Sequence, residues 1–348
     1  MLSRIGYIKV FIKDPDKKNM GRLVKELIRY AWIKKTLPSD YFRKFLYRKE
    51  VDNYLDYLSL KEHNKILDSK KLVFPEISAL LNNKLSFKGI CKNENIPTAT
   101  LLGYNLKNNF VTNGVIETIH QTESLVHFFE KLINQAPNKR LFLKPIQGIG
   151  GFGCLVLNPT NLIEQLNRYS RVLLKTSYIH ETYIEQHSVI NQIHPHAINT
   201  LRMVHYIDNQ NNVHLLSTFM RFGVGISITD NTSGGGFSIA VNKDTGVLEG
   251  VGRQEITRGG SVFVKHPDTD FKLEGFQIPY FKEACLLVKH VAPYFPNRIV
   301  GWDIAITPNG PIVLEGNHNP GLHVSDMAYG GFLKHPLVND LLNEINTP

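Results

Sequence analysis

The sequence predicts an α+β fold with a helical, basic extension at its N-terminus. Two apolar hairpins, one near the middle of the chain and one near its end, provide strands and carry polar side chains. The third observation is the net charge of +9, which arises within residues 1–50, where fourteen Lys and Arg face five Asp and Glu. A length of 348 residues suits one large or two ordinary domains with a substantial core.

The C-terminal hairpin places oxygen-bearing side chains in two strands that are otherwise apolar. Residues 301–306 and 312–317 alternate apolar and other positions on either side of a Pro-Asn-Gly turn. Glu315 and Asn317 are two apart on one strand and project from the same face, and Asp303 lies on the strand before them. Mg²⁺ prefers such carboxylate and amide oxygens, so the pattern predicts a metal site. The alternative is a hairpin whose acidic side chains face solvent.

The central hairpin has a glycine-rich tip between the apolar runs 141–145 and 154–157. A Rossmann or Walker loop would lead from a strand into a helix, whereas Asn-Pro ends the second run here and predicts a returning strand. Glycines let backbone N–H groups approach phosphates, and Lys144 would add a positive charge. The alternative is an ordinary turn. The tip glycines are Gly148, Gly150, Gly151 and Gly153.

Together the two hairpins resemble the ATP-grasp superfamily, which holds ATP between two α+β lobes and uses two Mg²⁺ ions. Asn83 stands where that superfamily usually has Asp. A closer resemblance is to the sugar-transfer-associated ATP-grasp family, and it covers roughly residues 75 to 335. It rests on segments 199–202, 266–267, 278–279 and 315–321. Other matching segments follow in the expected order: Asn83-Lys84-Leu85-Ser86-Phe87, Asn95-Ile96-Pro97-Thr98, Tyr183-Ile184-Glu185-Gln186-His187 and Asn231-Thr232-Ser233-Gly234-Gly235-Gly236.

The resemblance implies how the nucleotide is held. Lys84 and Lys144 would contact the phosphates together with the glycine tip, and Asn231 belongs to a segment that glutamate-adding ligases of this group share. Backbone groups of the linker at 183–187 would bind the adenine edge. An acid would contact the nucleoside, and either Glu181 or Glu185 can fill that role.

The resemblance also implies the chemistry. Arg202 and Arg221 match the catalytic arginines that face the transferred phosphoryl group, and Asp303, Glu315 and Asn317 match the metal ligands. The implied reaction is ATP-dependent ligation of a carboxylate to an amine through an acyl phosphate, with release of ADP and phosphate.

The association with sugar transfer suggests small-molecule substrates, sugar or amino acid derivatives destined for a surface polysaccharide. Two alternatives stay open. One is a kinase that phosphorylates a hydroxyl, and the other is a non-catalytic nucleotide-binding module, against which the retained lysines, arginines and metal ligands argue.

The two hairpins and the matching segments divide the chain into four predicted segments. They are a helical basic extension at 1–75, a leading lobe at 76–140, a small phosphate-clamping lobe at 141–190 and a metal-bearing lobe at 191–348. Within these segments, apolar positions at helical spacing predict a helix over 122–135 and another over about 278–295.

Composition argues against a membrane-spanning segment, a signal peptide, a disulfide framework and a zinc enzyme. The chain contains no run of eighteen apolar residues and begins without the pattern of a signal peptide. Cys91, Cys154 and Cys285 are far apart in apolar contexts, which predicts reduced thiols and a cytoplasmic protein. The fourteen histidines show no zinc signature, so no catalytic zinc is expected. His318 and His323 follow the metal ligands and would face the acceptor substrate or pack internally.

The extension contains one amphipathic segment. Apolar residues occupy one side of this segment and basic residues mostly the other. No nucleic-acid-binding signature accompanies the basic residues, so no nucleic acid partner is expected. Such a helix can lie on an anionic membrane, here the inner face, or it can pack on the catalytic body with a solvated basic face. The apolar positions are Met20, Leu23, Val24, Leu27, Ile28, Ala31 and Trp32, and the basic ones are Arg22, Lys25, Arg29, Lys34 and Lys35.

Overall fold

The computed structural model describes residues 2–148 and 150–347, and for residues 2–6 it describes the backbone alone. Helices dominate up to residue 93, as predicted for the extension. Their bounds are α1 Leu2–Lys13, α2 Met20–Lys34, α3 Ser39–Arg43, α4 Leu60–Leu67, α5 Pro75–Asn82 and α6 Lys84–Asn93.

Local sequence determines where these helices begin. Ser59 and Glu62 form a capping box at the start of α4, and Pro75 occupies the first turn of α5, where no N–H donor is needed. The side chain of Asn83 accepts hydrogen bonds from the backbone N–H groups of Leu85 and Ser86. Asn83 therefore caps α6 as an aspartate would.

The first sheet has six strands in the order β3-β2-β1-β6-β4-β5, and all its pairs are antiparallel. Helices α7 (Thr122–Gln135) and α8 (Leu162–Leu173) share a core with it. The predicted boundary at residue 140 separates β1–β3 from β4–β6, although all six strands belong to this one sheet. The four-segment division stays a prediction. The strands are β1 Leu101–Leu106, β2 Asn109–Thr112, β3 Val115–Thr118, β4 Leu141–Pro145, β5 Leu155–Leu157 and β6 Tyr178–Thr182.

The second sheet has seven strands in the order β11-β10-β9-β8-β7-β12-β13. Its neighbours are antiparallel throughout, so the α+β class and the fold predicted from the resemblance are confirmed. The strands are β7 Thr200–Ile207, β8 Val213–Phe222, β9 Phe237–Val241, β10 Leu248–Gln254, β11 Val262–Phe263, β12 Ile299–Thr307 and β13 Gly310–Asn317.

Apolar cores cover both faces of this second sheet, which leaves β7 buried along its whole length. One core contains residues of α10, and the other contains residues of α4 and α12. The predicted helices at 122–135 and near 278–295 are confirmed by α7 and α10. The remaining helices are α9 Ser188–Asn191, α10 Phe281–Val291, α11 Leu322–Ala328 and α12 Pro336–Asn346.

Helix α2 does not bury the face that apolar spacing predicts. Its buried residues are Leu23, Glu26, Tyr30 and Lys34. Glu26 is enclosed because Lys18 and Tyr41 donate hydrogen bonds to its carboxylate at 2.6 and 2.5 Å. Ion pairing thus allows charged residues to occupy the inner face. The predicted apolar positions that lie exposed instead are Met20, Val24, Ile28 and Trp32.

A buried ion pair joins the extension to the rest of the chain. Lys44 Nζ lies 2.5 Å from a carboxylate oxygen of Asp326 in α11 and also donates to the carbonyl of Leu58. Asp326 accepts further hydrogen bonds from the N–H groups of Leu58 and Phe332. Among the residues that the structure describes, no helix has both the length and the apolar character needed to cross a membrane.

Candidate active site between the two sheets

A cleft between the two sheets encloses a cavity of about 490 Å³. It receives side chains from both sheets and from the segment that follows β13. Most residues predicted as site residues line this cavity, namely Lys84, Lys144, Gly148, Gly150, Gly151, Glu181, Arg202, Arg221, Asn231, Asp303, Glu315 and Asn317.

The three predicted metal ligands converge on the hairpin of β12 and β13. Asp303 is paired directly with Glu315, and a bulge at Leu314 shifts the register after that pair. The Asn317 amide nitrogen lies 3.4 Å from Glu315 Oε1 and 3.5 Å from Asp303 Oδ2. The hairpin therefore brings two carboxylates and one amide into contact.

The two carboxyls have opposite electrostatic environments. Burial and the nearby charge of Asp303 raise the pKa of Glu315 above its usual value. Burial also acts to raise the pKa of Asp303, but Arg202 and Arg221 outweigh it and hold that pKa well below the usual range. A divalent cation would relieve the repulsion between two such groups.

Both predicted arginines contact Asp303. Arg202, on β7, places Nε 2.5 Å from Oδ1 and Nη2 3.2 Å from Oδ2. Arg221, on β8, lies 2.9 Å from Oδ2 and 3.3 Å from the carboxylate of Asp230. Its Nη2 also donates to the hydroxyl of Thr200 at 2.6 Å. The sequence interpretation missed Asp230, although it directly precedes the Asn231 segment.

Two lysines share one buried carboxylate. Lys144 Nζ lies 2.8 Å from Glu181 Oε2, and Lys88 pairs with the other oxygen. Burial acts to raise the pKa of Glu181, but the two lysines outweigh it and lower that pKa. The group as a whole thus has an excess positive charge. Lys88 was not identified from sequence, although it follows Lys84 by one helical turn of α6.

Lys84 reaches the glycine tip of the central hairpin. Its Nζ donates to the carbonyl of Gly148 at 2.8 Å and lies 4.0 Å from Glu315. Lys84 consequently connects the glycine tip of the first sheet with the metal hairpin of the second. Of the two candidate nucleoside-binding acids, Glu181 lines the cavity, whereas Glu185 is exposed and lies outside its lining.

Gly150 and Gly151 touch the opposite wall of the cleft. Both have positive φ, +75° and +70°. A Cβ on Gly150 would lie 2.7 Å from Asn231 Nδ2, and a Cβ on Gly151 would lie 2.7 Å from Thr229 Cγ2. Conformation and space together require glycine here. Gly153 differs, because it packs against Tyr178 and Pro145 and does not line the cavity.

The cavity is lined by both polar and apolar side chains. Among the polar ones, Asn231 Nδ2 and His323 Nε2 are buried and have no hydrogen-bond partner among the described residues. Burial lowers the pKa of His323, which keeps its ring neutral. His318 lines the cavity as well. The apolar lining includes Phe142, Pro145, Phe152, Val156, Ile184, Ile198, Ile228 and Leu314.

Three other titratable groups gather outside the cleft. The ligand atoms of His194, His266 and Asp268 lie within 4.8 Å of one another. His266 Nε2 lies 3.0 Å from the Gly223 carbonyl, and Asp268 accepts the Gly225 N–H at 2.6 Å. Because these contacts already hold the loop after β8, we assign no metal to the cluster.

The three cysteines are free thiols, as predicted. Cys91 is buried, while Cys154 and Cys285 are half-buried. Burial raises the pKa of Cys154, which lines the cavity, to about 11. Such a thiol is protonated at neutral pH and is a poor nucleophile.

Comparison with known proteins identifies one family. The profile of a family described as sugar-transfer associated ATP-grasp matches residues 69–340. Comparison with curated proteins gives no match.

Several solved structures resemble the chain. D-alanyl-alanine synthetase A from Vibrio cholerae O1 biovar eltor str. N16961 is 13% identical with a TM-score of 0.45, over 78% of this chain and 68% of the other. The ATP-grasp ligase PsnB, complexed with a minimal precursor, is 14% identical with a TM-score of 0.42, over 78% and 62%. The L-amino acid ligase from Bacillus licheniformis is 13% identical with a TM-score of 0.42, over 77% and 50%. The chain thus spans less than two thirds of the length of the last two.

Proposed function

Because the chain belongs to the sugar-transfer associated ATP-grasp family, we propose that it is an ATP-dependent ligase that joins a carboxylate to an amine and releases ADP and phosphate. The observation that carries the proposal is the convergence of Lys84, Lys144, Arg202 and Arg221 with three oxygen ligands in one cleft between two sheets. This arrangement suits transfer of a phosphoryl group that is held by cations on several sides.

The cleft suits a nucleoside triphosphate in shape and charge. Gly150 and Gly151 leave backbone exposed where any side chain would collide with the opposite wall. Lys84 and Lys144 add positive charge beside this tip. The Nδ2 of Asn231 faces the tip as well and has no hydrogen-bond partner in the described part of the chain. We assign the phosphates to this region and the base to the part of the cavity beside residues 182–184.

The hairpin of β12 and β13 suits Mg²⁺. Asp303, Glu315 and Asn317 offer hard oxygen ligands, and a cation there would relieve the repulsion between Glu315 and Asp303 that, together with burial, raises the pKa of Glu315. Mg²⁺ bound there would neutralise charge on the β- and γ-phosphates. We propose that two ions bind, as the resemblance implies.

The reaction follows from these groups. A carboxylate oxygen of the substrate attacks the γ-phosphorus of ATP, the bond from that phosphorus to the β–γ bridging oxygen breaks, and ADP leaves with the electron pair. Arg202 and Arg221 offset charge on the transferring oxygens. The amine nitrogen then attacks the acyl carbon of the acyl phosphate, the bond to the phosphate oxygen breaks, and phosphate leaves as the amine loses a proton.

Two features would support the second step. The contact of Gly150 and Gly151 with residues 229–231 closes the cleft above the reacting groups, which would keep water from the acyl phosphate. His323 is neutral and lines the cavity, and among the described residues its Nε2 has no hydrogen-bond partner, so it can accept a hydrogen bond from the incoming amine. We therefore propose His323 as a contact for the acceptor substrate.

The family association with sugar transfer supports small substrates related to sugars or amino acids, and a product for a surface polysaccharide. The free thiols and the use of ATP support action in the cytoplasm.

Trapping the intermediate tests the proposal. The protein is incubated with ATP, Mg²⁺, hydroxylamine and a panel of amino acids and sugar acids. A strong small nucleophile intercepts an acyl phosphate, so the correct carboxylate should yield a hydroxamate with ADP and phosphate in equal amounts. A stable phosphorylated product without hydroxamate would establish the alternative kinase, and release of AMP and pyrophosphate would contradict both reactions.

Variants separate the metal site from the rest of the protein. Glu315→Gln and Asp303→Asn should fold normally but lose Mg²⁺-dependent turnover by about 10² or more, because the phosphates lose their counter-charge. Glu283→Gln, on the exposed side of α10, is the matched control and should retain turnover. Wild-type turnover in both site variants would refute the metal assignment.

A further inference from the structure

Helix α2 presents an apolar stripe to solvent. Met20, Val24, Ile28 and Trp32 follow one another at intervals of four residues and are 65%, 50%, 66% and 83% exposed. Residues four apart lie on one face of a helix, so the four side chains form a continuous ridge. An exposed ridge of this kind on a folded protein indicates a contact with another apolar phase or partner.

The opposite face of α2 fixes the direction of this stripe. Leu23, Glu26, Tyr30 and Lys34 are buried against the extension, and Lys18 and Tyr41 bond to Glu26. Rotating the helix to bury the stripe would expose Leu23 and Tyr30 and would break the Lys18–Glu26 ion pair. The stripe therefore stays on the surface while the extension is folded.

Cations lie beside the stripe. Lys25 and Arg29 are exposed one position after Val24 and Ile28, and Lys35 is exposed at the end of the helix. Within the part of the chain that the structure describes, these three side chains form no ion pair. Helix α1 repeats the pattern, with Ile8 and Ile12 exposed beside Lys9 and Lys13.

We propose that α2 docks the protein on an anionic lipid bilayer, with the apolar stripe inserted at the interface and Lys25, Arg29 and Lys35 on the headgroups. Charge complementarity selects this occupant, because the net charge of +9 arises within the extension and the remainder is neutral. A ridge on a helix fits a deformable lipid surface, and Trp is favoured at the depth where headgroups meet acyl chains. Docking is independent of the reaction proposed for the cleft.

Vesicle binding by the full chain tests the proposal. The protein is sedimented with vesicles of phosphatidylcholine alone and of phosphatidylcholine with one quarter phosphatidylglycerol. We expect binding to the anionic vesicles that weakens as salt increases, and little binding to the neutral ones. No binding to anionic vesicles at low salt would overturn the proposal.

Matched variants test the stripe itself. Val24→Ser with Ile28→Ser, and separately Trp32→Ser, should bind at least about tenfold more weakly, since insertion loses apolar area. Ile163→Ser with Leu286→Ser is the control, because these side chains are 64% and 65% exposed on helices of the two lobes. Equal binding by the stripe variants and wild type would show simple electrostatic adsorption and would refute insertion.

Fluorescence gives a second readout. The chain has two tryptophans, and Trp302 is fully buried whereas Trp32 is exposed. Anionic vesicles should therefore shift the emission to the blue and protect it from a soluble quencher, and Trp32→Ser should abolish both changes. A protein that ignores vesicles but dimerises in solution, and becomes monomeric in Trp32→Ser, would show that a second copy covers the stripe instead.

Discussion

Asp303 connects the metal hairpin with both arginines. It faces Glu315 on the paired strand and bonds to Arg202 and Arg221 through both carboxylate oxygens. Asp303→Asn consequently disturbs the arginines together with the metal site, whereas Glu315→Gln leaves the arginine contacts in place. Of the two variants, Glu315→Gln is the more specific probe of metal binding.

Single glycines control access to the phosphates. Gly150→Val and Gly151→Val should weaken ATP affinity by about tenfold or more, because a β-branched side chain resists positive φ and its Cβ would lie 2.7 Å from the opposite wall. Isothermal titration with a non-hydrolysable ATP analogue measures this change. Gly114→Val is the matched control, because Gly114 has φ +79° in the turn between β2 and β3 and no atom within 4 Å of an added Cβ.

The Gly114→Val control distinguishes an effect of backbone strain on stability from an effect on the nucleotide-binding surface. Gly114→Val should lower stability through its strained φ but leave nucleotide affinity unchanged. If Gly150→Val and Gly151→Val also bind the analogue like wild type, the central hairpin is an ordinary turn.

Sequence predicts a site residue well when its partners are near in the chain. The two-residue spacing of Glu315 and Asn317 on a strand placed both on one face, and the structure brings Asp303 beside them. Lys88 and Asp230 escaped notice because each is distinguished only by a distant contact. Lys88 pairs with Glu181, 93 positions later, and Asp230, in the loop after β8, accepts a hydrogen bond from Thr200 on β7.

The same limit applies to whole helices. Helix α7 was predicted with its residue bounds and its inner face, because Leu125, Phe128, Phe129, Leu132 and Ile133 are buried as apolar spacing requires. In α2 the apolar stripe faces solvent. Apolar spacing does not show that Lys18 and Tyr41, which lie outside α2, make a buried Glu26 acceptable.

One buried ion pair contributes to the attachment of the extension, beside the apolar core that α4 shares with α12. Lys44→Met should lower the free energy of unfolding by about 3–5 kcal/mol, because the buried carboxyl of Asp326, whose pKa burial already raises, would lose its cation. Chemical denaturation followed by circular dichroism measures the loss. Lys49→Met, an exposed basic position in the same segment, should change stability by less than about 0.5 kcal/mol.

A double variant tests the pairing. Lys44→Met with Asp326→Asn should cost less than the sum of the single changes, because neither partner then leaves an unpaired charge. Additive losses, or a loss under about 0.5 kcal/mol in Lys44→Met alone, would mean that packing rather than this pair attaches the extension.

At the scale of the whole molecule, two sheets bound the cleft, and a small set of contacts connects its two walls. The glycine tip reaches residues 229–231, Lys84 lies between Gly148 and Glu315, and Thr98 donates to the carbonyl of Val313 at 2.7 Å. Cationic side chains line both walls. A ligand that binds both walls of the folded cleft, and not the unfolded chain, should stabilise the whole chain.

Nucleotide binding should therefore raise the thermal midpoint. At a concentration one hundred times its dissociation constant, Mg²⁺ with a non-hydrolysable ATP analogue should add about 2.7 kcal/mol and raise the midpoint by a few degrees. Differential scanning calorimetry measures the shift. Removing Mg²⁺ with a chelator, or introducing Glu315→Gln, should lose the part of the shift that depends on the metal, and Lys144→Met should reduce all of it. A midpoint unchanged by millimolar Mg²⁺ and analogue would contradict nucleotide binding in this cleft.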